Sequence, residues 1–498
     1  MSAKNTTKKK DSVWSPVVII VAILCAAVLV GAVALAIVNR SGYFRENTVM
    51  MTIGDQEVNQ IEFEYYYGAQ YQVYNSYFSL SSSNVNLKTT KCYMDNTMTW
   101  HEYLVKMAKE QLVNDYILAA EAEKNGFELT DESKEILAGL PEDLEAAAEQ
   151  NGVSVNSYLN LVYGAKNLTV ERLVEYTTRG QLATDYATHI VEGYEYDDTK
   201  IEEYFNENRK EFELAEYYTY TIKAIENGKT VEEQKTAFEA ITGENTAEQF
   251  KDLLKELYPP EEGKEFVDTS YKKTDASFIE EDETSEWLFD EKTENGAIKV
   301  FAKESGEGDA KTTTYTAVCL INRGKDDAKV ATMRHILFKT ENLKDDSGND
   351  LKDADGKTLT NKDEVMKKAE EVLNTWKNGE KTEDSFAKLA DEHTEDEGSK
   401  GNGGLYENFK QGDMVEKIDT WIFPEKEEDQ PKVGDTTIVD VVSTNYQGVH
   451  IVYFLGYGDA WKIEVENAMK DKDYEDFLKG LKDAVEVTYD DANIAKIG

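Results

Sequence analysis

From Val17 to Val38 the chain carries 22 consecutive residues without a charge. As a helix rising 1.5 Å per residue this run is about 33 Å long, enough to cross the hydrocarbon core of a bilayer. Lys4, Lys8, Lys9 and Lys10 precede it. By the positive-inside rule, residues 1–16 form a cytoplasmic basic tail, 17–38 a single transmembrane anchor, and everything after about residue 40 is extracytoplasmic at the cell membrane. A cleavable signal peptide ending near Ala34-Leu35-Ala36 is the competing reading, but the apolar run is long for one. Leu24 stands before Cys25, where a lipidation signal needs a small residue.

The charge balance narrows the partners. Against 55 Lys and Arg stand 98 Asp and Glu, a net charge of −43, which excludes nucleic acid because a polyphosphate would be repelled. Cys25, Cys92 and Cys319 match no metal or redox spacing, and no cofactor is expected. A length of 498 residues suggests about three domains.

Beyond the anchor, Val49–Ile53 and Gly54-Asp55 read as a strand and turn. Asn59-Gln60-Ile61-Glu62 has the spacing of a capping box and opens an aromatic helix. Thr99-Trp100-His101-Glu102 opens another, which ends at Asn125-Gly126. Further amphipathic helices are predicted at Asp131–Leu137, Pro141–Gln150, Ser154–Tyr163 and Val170–Gly193, and one from Asp197 toward Phe212. Residues 48–213 thus form a helical, acidic region without a catalytic constellation. The tail, 460–498, is also amphipathic and helical.

Between them lies an internal repeat. In residues 214–328, a strand at Tyr218–Ile222 and a helix at Glu232–Leu257 are followed by Glu286-Trp287-Leu288-Phe289 and the apolar stretch Thr314–Leu320, with no histidine. In residues 329–459, Met333-Arg334-His335-Ile336-Leu337-Phe338 is followed by a long helix, Gly398-Ser399-Lys400-Gly401-Asn402-Gly403-Gly404, Thr420-Trp421-Ile422-Phe423 and Gly448-Val449-His450-Ile451-Val452-Tyr453. The acidic segment Asp345–Gly356 does not fit a calcium loop. With Gly356 at the sixth position, Leu351 and Lys362 fall where acids are required, so it reads as a solvated loop.

The order histidine strand, helix, Gly-rich turn, short helix, histidine strand resembles the parvulin family of peptidyl-prolyl isomerases. The helical flanks, with Tyr204-Phe205-Asn206-Glu207-Asn208 before the repeat, are similar to the extracytoplasmic foldases of the PrsA and SurA families. The resemblance implies an α+β chain: an all-α chaperone region at 48–213 completed by C-terminal helices at 460–498, with two inserted parvulin-like domains of antiparallel sheet plus helices. The domain at 214–328 would be degenerate, with an unrelated α+β spacer as the alternative, and that at 329–459 would be intact.

It also implies His335, Asp396 and His450 as the catalytic group, and Leu405, Met414 and Phe423 as the apolar proline pocket. The partners would be unfolded or partly folded exported polypeptides, with the membrane engaged through Val17–Val38 and a homodimer left open. The alternative function is a non-enzymatic holdase or envelope scaffold. The sequence departs from the family pattern at Ile418, at Val449 and in the spacing from Thr444 to Gly448.

Overall fold

The computed structural model describes residues 41–257, 272–306, 311–345, 347–353, 356, 358–442 and 447–498. The expected anchor at Val17–Val38 and the position Thr444 lie outside them. Among the described residues, no helix is long and apolar enough to cross a membrane. The chain divides into two compact units, one running to Glu195 and resuming at Lys470–Gly498, the other Tyr196–Met469.

The first unit starts with a short helix α1 (Tyr43–Glu46) and an antiparallel hairpin, β1 (Val49–Ile53) and β2 (Gln56–Asn59). The helices α2 (Gln60–Phe78), α3 (Trp100–Lys124), α4 (Asp131–Gln150), α5 (Val155–Tyr163) and α6 (Val170–Glu192) follow. Their starts are chemically marked. The Asn59 side chain accepts from the amides of Ile61 and Glu62, and Thr99 exchanges the two hydrogen bonds of a capping box with Glu102. The two helices expected at Asp131–Leu137 and Pro141–Gln150 are one, with Pro141 inside. An interior proline costs about 3 kcal/mol, but Leu137, Leu144 and Ala148 are buried along this helix. Burying a leucine side chain contributes about 1.5–3 kcal/mol, so the continuous helix wins.

Trp100, Phe63, Leu104, Leu112 and Ile61 form the centre of this unit's core. At Gly68 the α2 backbone touches α5, where an added Cβ would sit 2.0 Å from the Tyr163 carbonyl oxygen. Gly68→Ala should therefore destabilise this unit by about 1–3 kcal/mol, the usual cost of overpacking, read as a lower urea midpoint.

The second unit begins with α7 (Asp198–Glu207) and α8 (Arg209–Phe212), then builds two four-stranded antiparallel sheets in succession. The first contains β3 (Leu214–Ile222), the small hairpin β4 (Ile225–Glu226) and β5 (Lys229–Thr230), α9 (Val231–Glu239), α10 (Thr246–Leu257), β6 (Lys272–Ala276), α11 (Glu283–Leu288), β7 (Ile298–Ser305) and β8 (Thr312–Gly324). The single helix expected at Glu232–Leu257 is broken into α9 and α10, because Gly243 and Asn245 take positive φ between them.

The second sheet contains β9 (Lys329–Lys339), α12 (Lys362–Asn378), α13 (Glu383–His393), β10 (Leu405–Lys410), α14 (Glu416–Ile422), β11 (Thr436–Val442) and β12 (Gln447–Asp459). The strand orders are β6-β3-β8-β7 and β10-β9-β12-β11. Numbered within each copy, both read 2-1-4-3, with two helices after the first strand and one short helix after the second. The repeat is one of topology as well as of sequence. The segment between β9 and α12 is largely exposed and is held by isolated bridges joining Asn342 to Thr360, Lys344 to Asp350 and Lys352 to Thr358.

Alternation along β9 and β12 separates two faces. Ile336, Phe338, Val449, Ile451 and Tyr453 pack with α12 and α13 residues such as Leu373, Trp376 and Phe386. Ala331, Met333, Val452 and Phe454 pack with Ile418 and Ile422 of α14.

The last helix, α15 (Ala460–Asp483), contributes Trp461 and Val465 to a cluster with Ile201, Phe205 and Phe212 in the second unit. Its Phe477, Leu478 and Leu481 pack against the core of the first. Strand β13 (Val487–Tyr489) then pairs antiparallel with β1, Met51 opposite Tyr489, and α16 (Asp491–Ile494) follows. Ile494 and Ile497 are buried in the same core as Phe63 and Trp100.

Candidate active site

His335 on β9 lies opposite Val452, and His450 on β12 lies opposite Leu337. The histidines are therefore diagonal neighbours, and period-2 alternation puts both on the α14 face, away from α12 and α13. Their Nδ1 atoms are 2.9 Å apart, so one proton is shared between two rings stacked at 5.1 Å. Both side chains are buried.

The loop after α13 is laid along β9. The Glu395 amide donates to the Leu337 carbonyl at 2.8 Å, and the Leu337 amide donates to the Thr394 hydroxyl at 3.1 Å. This brings the Asp396 carboxylate within 2.9 Å of His335 Nε2. The loop then turns back so that the His335 amide donates to the Gly404 carbonyl at 2.8 Å. Gly404 has a φ of +69°, and a Cβ there would lie 2.1 Å from the His335 carbonyl oxygen, so only glycine allows this approach.

Asp396 Oδ2 accepts from three groups: His335 Nε2, the Ser399 hydroxyl at 2.6 Å and the Tyr406 hydroxyl at 3.0 Å. The hydrogen bond from His335, with those from the two hydroxyls, holds this carboxyl well below the usual carboxylate range despite partial burial. Burial, reinforced by the neighbouring His335, pushes His450 down to about 3, so its ring is neutral at physiological pH. With Nε2 of His335 donating to a carboxylate, the proton positions around this ring are set by its two neighbours.

The network borders a cleft of about 680 Å³. Met333, Leu337, Met414, Val415 and Ile418 give it an apolar wall, and His335, Asp396, Tyr406 and His450 a polar one. Of the residues expected in the proline pocket, Met414 lines this cleft, whereas Leu405 and Phe423 are absent from its lining. Leu405 lies opposite Arg334, while the next residue, Tyr406, lies opposite Met333 on the site face. A one-residue step along a strand reverses the side chain, so the strand presents Tyr406 where Leu405 was expected. Phe423 packs with Phe409 and Tyr457, at centroid separations of 6.1 and 6.0 Å.

Ile418 is a buried wall of the cleft, and Val449 faces the α12 core, so a change before the second histidine acts on packing rather than on the site. Ser399 and Tyr406 were missed as network members. The signals were a hydroxyl three residues after Asp396 in a tight turn and the alternation of β10. The other histidines lie elsewhere: His101 bonds Tyr67 at 3.0 Å, His189 packs on Phe127, and His393 is half-buried at the end of α13.

The first sheet can be superposed on the second by register alone. Leu288 clusters with Val318 and Leu320 as Ile422 does with Val452 and Phe454. Matching Val318 to Val452 puts Thr219, opposite Val318, at the place of His335. It puts Thr316, opposite Phe301, at the place of His450, which lies opposite Val439. The network is thus confined to the second copy.

The second copy thus sets an apolar cleft beside a hydrogen-bonded carboxylate and a buried imidazole pair on a 2-1-4-3 antiparallel sheet. Residues 318–455 match the PPIC-type PPIASE domain, and the chain carries a peptidyl-prolyl isomerase domain of that family. Among solved structures, the chain is similar to the peptidylprolyl isomerase PrsA from Bacillus anthracis, with 19% identity, 32% of this chain and 59% of that chain covered, and a TM-score of 0.17. It is also similar to the foldase protein PrsA from Streptococcus pneumoniae, with 11% identity, 88% and 91% covered, and a TM-score of 0.19. The match to the Bacillus chain thus spans less than two thirds of its length. No curated protein matches the chain.

Proposed function

We propose that this chain is a membrane-anchored extracytoplasmic foldase that holds unfolded exported polypeptides and isomerises their X-Pro bonds at His335, Asp396 and His450. The observation that carries the catalytic part is the carboxylate held charged at the edge of an apolar cleft. Resonance keeps an X-Pro amide planar behind a barrier of about 18–20 kcal/mol, and that resonance places negative charge on the carbonyl oxygen. A fixed carboxylate beside that oxygen disfavours the charge-separated planar form and so favours the twisted amide. Met414, Val415 and Ile418 would take the proline ring and exclude water. The reaction makes and breaks no covalent bond, so Asp396 acts through its field and hydrogen bonds and not as a nucleophile.

Residues 48–213 with 460–498 would be the holding region. Exposed Val73, Tyr77, Tyr93 and Met94 support that role, offering large apolar area with polar handles. The domain at 214–328, with Thr219 and Thr316 at the histidine positions, would bind or space without catalysing. That observation favours a second reading, in which the whole chain is a holdase that retains parvulin folds.

The test is a proline-limited refolding assay on the full chain in detergent micelles. A rate gain over buffer supports the isomerase, and suppressed aggregation with no rate gain supports the holdase. Protease protection of residues 1–16 in intact cells, with cleavage of later segments, tests the anchor and its orientation.

A further inference from the structure

Three donors converge on one oxygen of Asp396, and the least explained of them is Tyr406. Its hydroxyl lies 3.0 Å from Oδ2, and its ring meets His335 edge-on at 5.0 Å and 88°. Strand β10 shifts register immediately after Tyr406, and Asn408 takes a φ of +52°. An irregularity of this kind re-aims a strand side chain, and here it lies next to the residue that reaches into the site. With Oδ2 taken by His335, Ser399 and Tyr406, the other oxygen, Oδ1, has the Gly398 amide at 3.3 Å as its hydrogen-bond partner. Oδ1 is thus the less engaged oxygen of the pair.

We propose that Tyr406 is a positioning residue for the isomerisation: its hydroxyl locks the Asp396 carboxylate so that Oδ1 presents a fixed charge to the bound amide. This rests on the isomerase reading of the same site. A carboxylate free to rotate would average its field over two orientations. One held by three donors cannot do so without breaking charge-assisted hydrogen bonds. The tyrosine would therefore act on the chemical step rather than on substrate affinity.

The experiment compares wild type and Tyr406→Phe, as full chains in detergent, with a short X-Pro peptide at pH 4 to 8. The expected result is that kcat falls about fivefold while KM stays within about twofold, as for loss of one of several hydrogen bonds to a charged group. Because His335 and Ser399 still hold the carboxyl well below the usual range, Asp396 stays charged from pH 4 to 8 in both proteins, and the fall in kcat should be the same across that window. A merely structural tyrosine would leave kcat per folded molecule unchanged and lower only the folded fraction.

Ser399→Ala removes another donor to the same oxygen and should give the same signature, which keeps the idea testable if the phenylalanine variant does not fold. Unchanged kcat in Tyr406→Phe, or a loss confined to KM, overturns the proposal while wild-type activity leaves the isomerase reading intact. No acceleration by wild type overturns both.

Discussion

Asp396→Ala is expected to lower kcat/KM for an X-Pro peptide by about a hundredfold, the scale seen when one preorganised electrostatic group is removed from an active site. The loss should fall mainly on kcat, because Met414, Val415 and Ile418, which shape the apolar wall, are untouched. The variant should also be less stable at neutral pH, since His335, Ser399 and Tyr406 all lose their common acceptor.

The sign of that stability term follows from the depressed carboxyl. A group whose folded pKa lies below its unfolded value stabilises the fold above the unfolded value, near 4, and loses that contribution as pH falls further. Wild type and variant should therefore differ in thermal midpoint at pH 7 and converge as the solution is made strongly acidic. A variant with wild-type turnover would remove Asp396 from the chemistry.

Arg179→Met should have the largest effect on stability, about 3–5 kcal/mol in the first unit. Glu62 and Asp115 are almost wholly buried, 3% and 4% exposed, and Arg179 on α6 is ion-paired to Glu62. Tyr116 donates to Glu62 at 3.0 Å, while Tyr66 and Gln111 donate to Asp115, both at 2.7 Å. The guanidinium also lies 3.9 Å from the centre of the Tyr116 ring. Removing the only cation of this group leaves buried carboxylates without compensation, which is far costlier than losing a surface pair.

Burial raises the Glu62 carboxyl to about 7 even with the arginine present. The folded state therefore holds a proton that the unfolded state has released, and stability should fall as pH rises from about 4.5 to 7. Adding Glu62→Gln should flatten that dependence and recover part of the arginine loss. Hydrogen exchange in peptides from α2 and α3, followed across this pH range, reads both effects locally in a chain whose unfolding has more than one unit.

Local chemistry was the legible part of the sequence. Asn59 and Thr99 announced α2 and α3 because a cap is decided within four residues, and Gly403-Gly404 announced the close turn beneath His335. The paired histidines could be read only through the family resemblance, because alternation assigns faces within one strand and the β9–β12 register brings the two together. What depends on register was less legible. Leu405 and Tyr406 are adjacent, and only the pairing of Tyr406 with Met333 decides which of them meets the cleft. The continuity of α4 through Pro141 was hidden for another reason: the burial that outweighs the broken hydrogen bond comes from packing on α5 and α6, which a local reading of the proline does not include. The buried group of Glu62, Asp115 and Arg179 had no local signature, since its members lie on three helices.

The pairing of β1 with β13 also sets a timetable. The two strands are separated by more than 430 residues, and the 274 residues of Tyr196–Met469 must be made between them. At about 5–20 residues per second this takes roughly 14–55 s. Throughout that interval the core around Phe63 and Trp100 lacks Ile494 and Ile497, and only near its end, when Asp459 has been made, does the second sheet have all four of its strands. The strands that carry His335 and His450 are therefore all made before the helical unit receives β13, Ile494 and Ile497, a delay set by the order of the chain and not by any step of chemistry.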